Sequence, residues 1–380
     1  MTVVDVIDEA RKKGAFSEPP SERTALGEEA FRQMVVIERK RTERSGKPFL
    51  LMLLSAGGQR ESNGAGVALN RMLTLLLSST RQTDVIGWYK EQATIGVVFT
   101  GFSSEDKNHI LSIILNKVSS TLRNRLSSAQ FSQVSVSFHF YPDDWDHEIP
   151  GRPSNPVLYP DLLTRDNVRR SLLTLKRVMD ITGSGAALLA CLPVFVCVAV
   201  AVKISSKGPV LFRQQRVGRY GRCFTFLKFR SMQTGNDPSV HKEYVTKLIH
   251  GVAEQDRSDV SGQGVYKLVN DPRITQVGRF LRRTSLDELP QLLNVLRGDM
   301  SLVGPRPSIP YEVAAYQTWH RRRVLEVKPG ITGLWQVNGR NRIKFDEMVR
   351  LDLQYAKRWT PWLDIKILMR TPNAVLKGAC

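Results

Sequence analysis

Residues Ile181 to Val202 read ITGSGAALLACLPVFVCVAVAV, an apolar run without a charged side chain. About twenty apolar residues suffice for a helix to cross a bilayer, although a buried core helix has the same composition. The flanks add information. Upstream stand Arg169, Arg170, Lys176 and Arg177; downstream stand Lys203, Lys207, Arg213, Arg216, Arg219 and Arg222. Segments rich in Lys and Arg stay on the cytoplasmic side, so both ends prefer the same side and the run is expected to enter and return. Pro193 supplies the break, because it removes a backbone donor and clashes with the preceding turn. The expectation is a re-entrant helix hairpin over 181–202, with a kinked spanning helix as the alternative that hydropathy leaves open.

Around this run the chain is long enough, at 380 residues, for two domains. Its hydrophobic share of 42% argues against global disorder. The formal net charge of +19 calls for an anionic partner: nucleic acid, anionic membrane lipids or a phosphorylated substrate. No nucleic-acid reader motif is present, and the uncharged run does not suit a soluble binder, so nucleic acid is not expected. Cys191, Cys197, Cys223 and Cys380 show neither metal-ligand spacing nor a disulfide framework, which fits a reduced compartment. Met1 to Lys13 mixes acids and bases without an apolar core, so no signal peptide is expected.

Residues 1–25 are polar and read as a flexible arm. From 26 to 142 the pattern predicts helix, strand, helix, two strands of a hairpin, helix and strand, an antiparallel sheet backed by helices. This order, with Arg81-x-x-Asp84 before the hairpin, resembles the diguanylate-cyclase type of nucleotidyl cyclase domain. The match fails at the turn. Tyr89-Lys90-Glu91-Gln92 stands where that family carries its glycines and metal-binding acids, and Ser55-Ala56-Gly57 stands at the first-strand acid. A degenerate, non-cyclase domain is therefore expected, with regulation, homodimer formation or a bare structural role as its readings. Residues 143–165 read as a linker. Its Asp144-Trp145-Asp146 has the look of a glycosyltransferase metal site, but a solvated acidic loop accounts for it and no nucleotide-binding domain surrounds it.

Residues 166–380 carry the chemistry. Two short strands around Gly218-Arg219-Tyr220-Gly221 are predicted, and in the second Lys228 and Arg230 fall on one face, suited to a phosphate. The polar stretch 234–271 has no assignable role. Then Arg279 to Pro307 reads RFLRRTSLDELPQLLNVLRGDMSLVGPRP. Asp287 could simply cap a helix beginning near Leu289, with Pro290 in its first turn. Adjacent acids also suit phosphoryl chemistry. One carboxylate attacks phosphorus and splits a difficult transfer into two easier ones; its neighbour ligates Mg²⁺, which prefers oxygen ligands and keeps substrate phosphates in its other positions. A helix N-terminus and arginines would hold the phosphate oxygens.

Three further runs join this one. Ser285-Leu286-Asp287-Glu288-Leu289-Pro290-Gln291-Leu292 and Gly298-Asp299-Met300-Ser301-Leu302-Val303-Gly304-Pro305-Arg306-Pro307, with Lys176-Arg177-x-x-Asp180, Lys228-Phe229-Arg230 and Pro329-Gly330-Ile331-Thr332-Gly333-Leu334-Trp335-Gln336-Val337, resemble the bacterial sugar transferase family. These are monotopic polyprenyl-phosphate hexose-1-phosphate transferases, and the likeness runs from Lys176 to the C-terminus. It implies that Asp287 is the nucleophile toward a UDP-sugar, releasing UMP, and that Glu288 holds Mg²⁺ against the diphosphate. Lys228, Arg230, Arg282, Arg306 and Gln336 would be substrate-binding, with Arg306 at the nucleotide. Polyprenyl (undecaprenyl) phosphate would then take the sugar phosphate from the phospho-aspartate. The re-entrant helix is also a family trait, though Leu192 precedes Pro193 where some members have Ser. The implied setting is the cytoplasmic face of a bacterial inner membrane, at the first membrane step of polysaccharide assembly.

The expected fold class is thus α/β (α+β): an N-terminal antiparallel sheet with helices, a re-entrant hairpin, and a small mainly helical catalytic domain with a short β-hairpin. Asp352, Tyr355 and Trp359 should share one helical face, and Trp359, Trp362, Lys357 and Arg358 suit either the headgroup level or internal packing. A noncatalytic membrane-bound scaffold or nucleotide sensor is the alternative function, opposed by the intact Asp287-Glu288 pair.

Overall fold

A computed structural model describes residues 24–56, 63–102, 107–125, 127, 131, 134–142, 155–233, 239–249, 273–339 and 343–377. The expected arm lies outside them apart from its last two residues, as do Asp144, Asp146 and most of 234–271. The described chain forms two compact units that divide between Phe140 and Tyr141, with Glu43–Ser45 grouped with the second.

The first unit holds α1 (Glu28–Ser45), β1 (Phe49–Ala56), α2 (Asn63–Ser79), β2 (Val85–Lys90), β3 (Thr94–Phe99), α3 (Lys107–Arg123) and β4 (Val134–Tyr141). Its sheet order is β2-β3-β1-β4, with β3 antiparallel to both β1 and β2. Strand β1 has no polar alternation because both of its faces are covered. Leu50, Met52 and Leu54 pack with Leu69, Met72 and Leu76 of α2, while Phe49, Leu51 and Leu53 are buried as well. Phe31 of α1 closes over Gly96, where a Cβ would meet its ring at 2.3 Å. At the hairpin turn Gln92 adopts φ 53 and Glu91 N donates to Glu28 Oε2 at 2.7 Å. Ser55 Oγ pairs with Thr94 Oγ1 at 3.1 Å.

The second unit continues with a 3₁₀ turn (Pro156–Leu158), α4 (Pro160–Val168), α5 (Arg170–Ala190), α6 (Leu192–Ser205), β5 (Leu211–Val217), β6 (Cys223–Phe229), α7 (Ser239–Ile249) and α8 (Gln276–Thr284). A 3₁₀ turn (Leu286–Glu288), α9 (Gln291–Arg297), β7 (Ser301–Val303), α10 (Pro310–Ala314), α11 (Arg322–Glu326), β8 (Gly330–Thr332), α12 (Leu334–Asn338), α13 (Phe345–Arg358) and α14 (Pro361–Lys377) follow. The expected linker is already folded from Asn155 onward: Leu158, Tyr159 and Leu162 are buried, and Arg165 of α4 pairs with Glu326 at 2.9 Å.

No single described helix is long and apolar enough to cross a membrane; α5 and α6 pass that test only as a pair, bent by 63°. The break is Cys191, and Pro193 sits in the first turn of α6, where its missing donor leaves no intrahelical bond unmade. Val198 and Val202 face inward onto Phe229 and Leu281. Leu189 (77% exposed) and Ile204 (81%) face out, as do Leu192, Val196 and Val200.

The base of α5 is locked to α9, β7 and α14 by the Lys176-Arg177-x-x-Asp180 run. Arg177 donates to the carbonyls of Val295 and Leu296 at 2.6 and 2.7 Å, satisfying the C-terminal end of α9. Lys176 Nζ meets Asp364 Oδ2 at 2.6 Å, and Asp364 also accepts from Tyr355 and Trp359. Asp352, Tyr355 and Trp359 are all buried, so Trp359 packs internally, whereas Trp362 is 69% exposed. Strands β7 and β8 run parallel, close enough that a Cβ on Gly304 would lie 2.3 Å from Lys328 O.

Candidate active site

Strand β6 carries Lys228, and α9 is docked against that strand by one side chain. Asn294, fully buried, accepts from Leu227 N at 3.1 Å and donates to Thr225 O at 2.7 Å, in the manner of a neighbouring strand. The peptide before α9 is thereby held against β6. Helix α8 ends at Ser285, whose left-handed backbone (φ 57) turns the chain into the 3₁₀ turn bearing Asp287. Asp287 therefore does not cap α9, which begins only at Gln291. The expected helix N-terminus at the acid pair is replaced by a 3₁₀ turn, because Ser285 reverses the chain one turn earlier.

Asp287 is 7% exposed. Burial first and the Glu288 carboxylate second push its acid up to about 6, against the pull of Lys228, Arg282 and Arg306. The same crowding acts on Lys228: burial, then the neighbouring Arg282, bring its ammonium down to about 8. Lys228 also lies 5.2 Å from the ring of Phe212, its cross-strand partner. Arg282 is oriented by a 3.0 Å hydrogen bond from Nε to Ser231 Oγ. The Glu288 carboxylate makes no hydrogen bond or ion pair with the protein among the described residues, and Glu288 borders a cavity of about 360 Å³, shared with Arg306, Trp335, Gln336, Cys191 and Thr371. That volume is within the usual range for small-molecule pockets.

The structure thus gathers Asp287, Glu288, Lys228, Arg282 and Arg306 into one electrostatic cluster and sets Gln336 on the adjoining cavity. Arg230 does not join them. It lies just past β6 and its Nη2 donates to Ser206 O at 2.7 Å and Ser206 Oγ at 3.0 Å, closing the C-terminal end of α6. The period-two argument placed it beside Lys228; its backbone still pairs across to Val210 O at 2.9 Å, but the carbonyl and hydroxyl of Ser206 draw its guanidinium to the end of α6.

Sequence reasoning missed Arg216. It is buried, donates to Pro307 O at 2.8 Å, and packs 5.0 Å from the Phe226 ring. With Val217 N bonded to Ser308 O at 2.8 Å, it pins the Pro305-Arg306-Pro307 turn to β5. In the sequence it was one more base in a basic flank. An arginine bounded by strand residues was the only signal available.

No group of three or more His, Cys, Asp or Glu suited to a metal occurs among the described residues. Mg²⁺ asks for less, since one or two carboxylates with waters and substrate phosphates complete its shell. The uncommitted Glu288 carboxylate beside Asp287 fits that donor set.

The profile of the bacterial sugar transferase family matches residues 171–378. The chain belongs to that family. Galactosyl transferase CpsE of Streptococcus agalactiae serotype III is 47% identical over 211 residues, 55% of this chain and 43% of that protein. Undecaprenyl-phosphate galactose phosphotransferase of Salmonella typhimurium is 46% identical over 209 residues, 55% and 42% respectively. Exopolysaccharide production protein ExoY of Rhizobium meliloti is 39% identical over 200 residues, 53% of this chain and 84% of that one. The chain therefore spans under half the length of the first two relatives and most of the third. The family match lies wholly in the second unit. A DGC protein from Thermotoga maritima covers 32% of this chain and 85% of its own at 18% identity, with a TM-score of 0.25, too low to carry an argument.

Proposed function

We propose that this bacterial sugar transferase moves a hexose-1-phosphate from a UDP-sugar to polyprenyl (undecaprenyl) phosphate, releasing UMP, at the cytoplasmic face of the bacterial membrane. The observation that carries the reading is the buried Asp287 beside Glu288, ringed by Lys228, Arg282 and Arg306. A diphosphate needs such a positive surround, and a nucleophilic carboxylate needs to be stripped of water yet drawn toward ionisation by cations. The names of the Streptococcus and Salmonella relatives support galactose transfer, and that of the Salmonella protein the undecaprenyl carrier.

In the first half-reaction a carboxylate oxygen of Asp287 attacks the phosphorus that bears the sugar. The bond from that phosphorus to the bridging oxygen breaks, and UMP leaves. Lys228, Arg282 and Arg306 take up the charge that spreads over the phosphoryl oxygens. In the second, a phosphate oxygen of the carrier attacks the same phosphorus, the phosphorus–oxygen bond to Asp287 breaks, and the carboxylate is restored. When bound, Mg²⁺ would neutralise diphosphate charge, and Glu288 would hold it.

The carrier is a membrane lipid, and the bent pair α5–α6 supports a re-entrant insertion. Its two ends are basic, its break falls at the tip, and its outer face presents Leu189, Leu192, Val196, Val200 and Ile204. Exposed Trp362, Met369 and Phe280 extend the apolar surface, and the basic flanks suit anionic lipids. The first unit carries no cyclase role in this reading, since its hairpin turn Tyr89-Lys90-Glu91-Gln92 lacks the glycines and the acid pair, and Ser55-Ala56-Gly57 replaces the first-strand acid.

The test is UMP release from full-length protein in detergent with Mg²⁺, undecaprenyl phosphate and a panel of UDP-sugars, beside Asp287→Asn. UMP formed by the parent and lost in the variant supports the reading; UMP formed equally by both removes Asp287 as nucleophile. UDP as product would point to an ordinary glycosyltransferase, and no release from any sugar to a scaffold.

A further inference from the structure

Trp335 and Gln336 stand together on α12, and both line the cavity that Glu288 and Arg306 border. Trp335 is 6% exposed, yet its indole Nε1–H has no acceptor among the described residues. Gln336 Oε1 is also buried, and it has no donor. The amide is oriented from its other end, where Nε2 donates to Ile331 O at 3.4 Å, and this leaves Oε1 as the acceptor. Thr371 Oγ1 donates to Ile367 O at 2.8 Å and pairs with Thr332 Oγ1 at 2.9 Å, so both hydroxyl protons are used and neither reaches Gln336 Oε1. One unanswered donor and one unanswered acceptor therefore adjoin a single cavity, and a ligand that covers them without hydrogen bonding would leave both dry at a cost.

We infer that Trp335 and Gln336 form the hydroxyl-reading subsite for the transferred hexose and determine which sugar is accepted. A sugar hydroxyl answers both atoms at once, accepting from the indole N–H while donating to the amide oxygen, as the imide edge of uracil also does, so position decides between them. An isoprenoid chain answers neither, and a phosphate has no proton for Oε1. Position favours the hexose. The hexose is one ester oxygen from the phosphorus that Asp287 attacks, so it occupies the cavity next to Glu288. The uracil is separated from that phosphorus by the second phosphate and the ribose. This inference rests on the proposed transfer reaction and adds to it the residues that read the sugar.

The experiment compares full-length parent protein, Trp335→Phe and Gln336→Leu in detergent. It measures kcat/KM for UMP release from UDP-glucose, UDP-galactose and their N-acetylamino counterparts. Trp335→Phe keeps a ring and loses the N–H; Gln336→Leu keeps the shape and loses the acceptor. The parent is expected to separate at least two of these sugars, and each variant to compress that ratio about tenfold or more, with an unchanged melting temperature and an unchanged KM for undecaprenyl phosphate. A parent that treats all four alike overturns the inference. So does a ratio preserved in both variants, or a variant effect confined to the KM for the carrier, which would assign the cavity to the lipid. Should the parent release no UMP, the transfer reading fails by itself, and calorimetric Kd values for the same UDP-sugars decide the subsite. Sugar discrimination in the parent that both variants lose upholds it, and absence of binding or of discrimination overturns it.

Discussion

The carboxylate of Asp180, in the middle of α5, accepts a hydrogen bond from Ser301 Oγ at 2.9 Å, and the same oxygen accepts from Leu302 N at 2.9 Å. Asp180 is 5% exposed, so these are buried, charge-assisted contacts that fix the helix to the strand leading into Arg306. Asp180→Ala should lower unfolding stability by about 1–3 kcal/mol, because two buried donors lose their acceptor. Asp180→Asn, which keeps one oxygen, should cost less. Denaturant unfolding followed by near-UV circular dichroism checks both.

Burial holds Asp287 as a neutral acid up to about pH 6, while attack on phosphorus requires its anion. Lys228 keeps its charge only up to about pH 8. The rate of UMP release, as kcat/KM, should therefore rise with pH through about 6 and fall through about 8. A profile flat across the lower limb would mean that Asp287 is not the group that must ionise.

Glu288 raises the Asp287 acid through its negative charge. Glu288→Gln removes that charge, so the acid limb should move to lower pH even as the rate falls. Apparent Mg²⁺ affinity should weaken in the same variant, by about tenfold or more. Rate profiles at saturating and limiting Mg²⁺ separate the two effects.

Arg230 and Arg306 should part company on mutation. Arg230→Met leaves the C-terminal carbonyls of α6 without their cation, and a loss of about 1–3 kcal/mol in stability is expected with little change in the KM for UDP-sugar. Arg306→Met removes a charge that borders the cavity, so that KM should rise about tenfold or more with stability nearly unchanged. Paired melting curves and initial rates check this.

Gly304→Ala should disrupt the β7–β8 pair. The added Cβ would lie 2.3 Å from Lys328 O and 2.9 Å from Gly330 N, both backbone atoms that cannot swing aside. A loss of about 1–3 kcal/mol or more, as at an overpacked core site, should appear as a lower melting temperature with activity lost in proportion.

Much of the second unit was legible because its signals are local. The uncharged run from Ile181 to Val202, the proline within it and the basic residues at both ends stand next to one another in the chain, and the break fell at Cys191 beside Pro193. The hairpin β5–β6 followed from strand alternation around a glycine-bounded turn. The acid pair was found for the same reason, as adjacent letters in a dense motif. In the first unit, every described helix and strand was anticipated in type and order, because each is an apolar run, periodic or in β1 continuous, bounded by polar residues.

What the sequence could not specify depended on where separate elements meet. Alternation set Lys228 and Arg230 on one face, but only packing showed that α6 ends against Arg230 and takes its hydrogen bonds. A basic flank gave no reason to single out Arg216, which acquires its place by burial under the Pro305-Arg306-Pro307 turn. The unanswered polar atoms of Trp335 and Gln336 exist only as a shortage of partners, which no string of residues records. The sequence by itself determined the family, the acid pair and the uncharged apolar segment with its break, since covalent neighbours and short periodicities carry them. The tertiary structure decided which cations surround Asp287 and which serve as caps, because electrostatic fields and hydrogen bonds act between residues distant in the chain and are fixed only by packing.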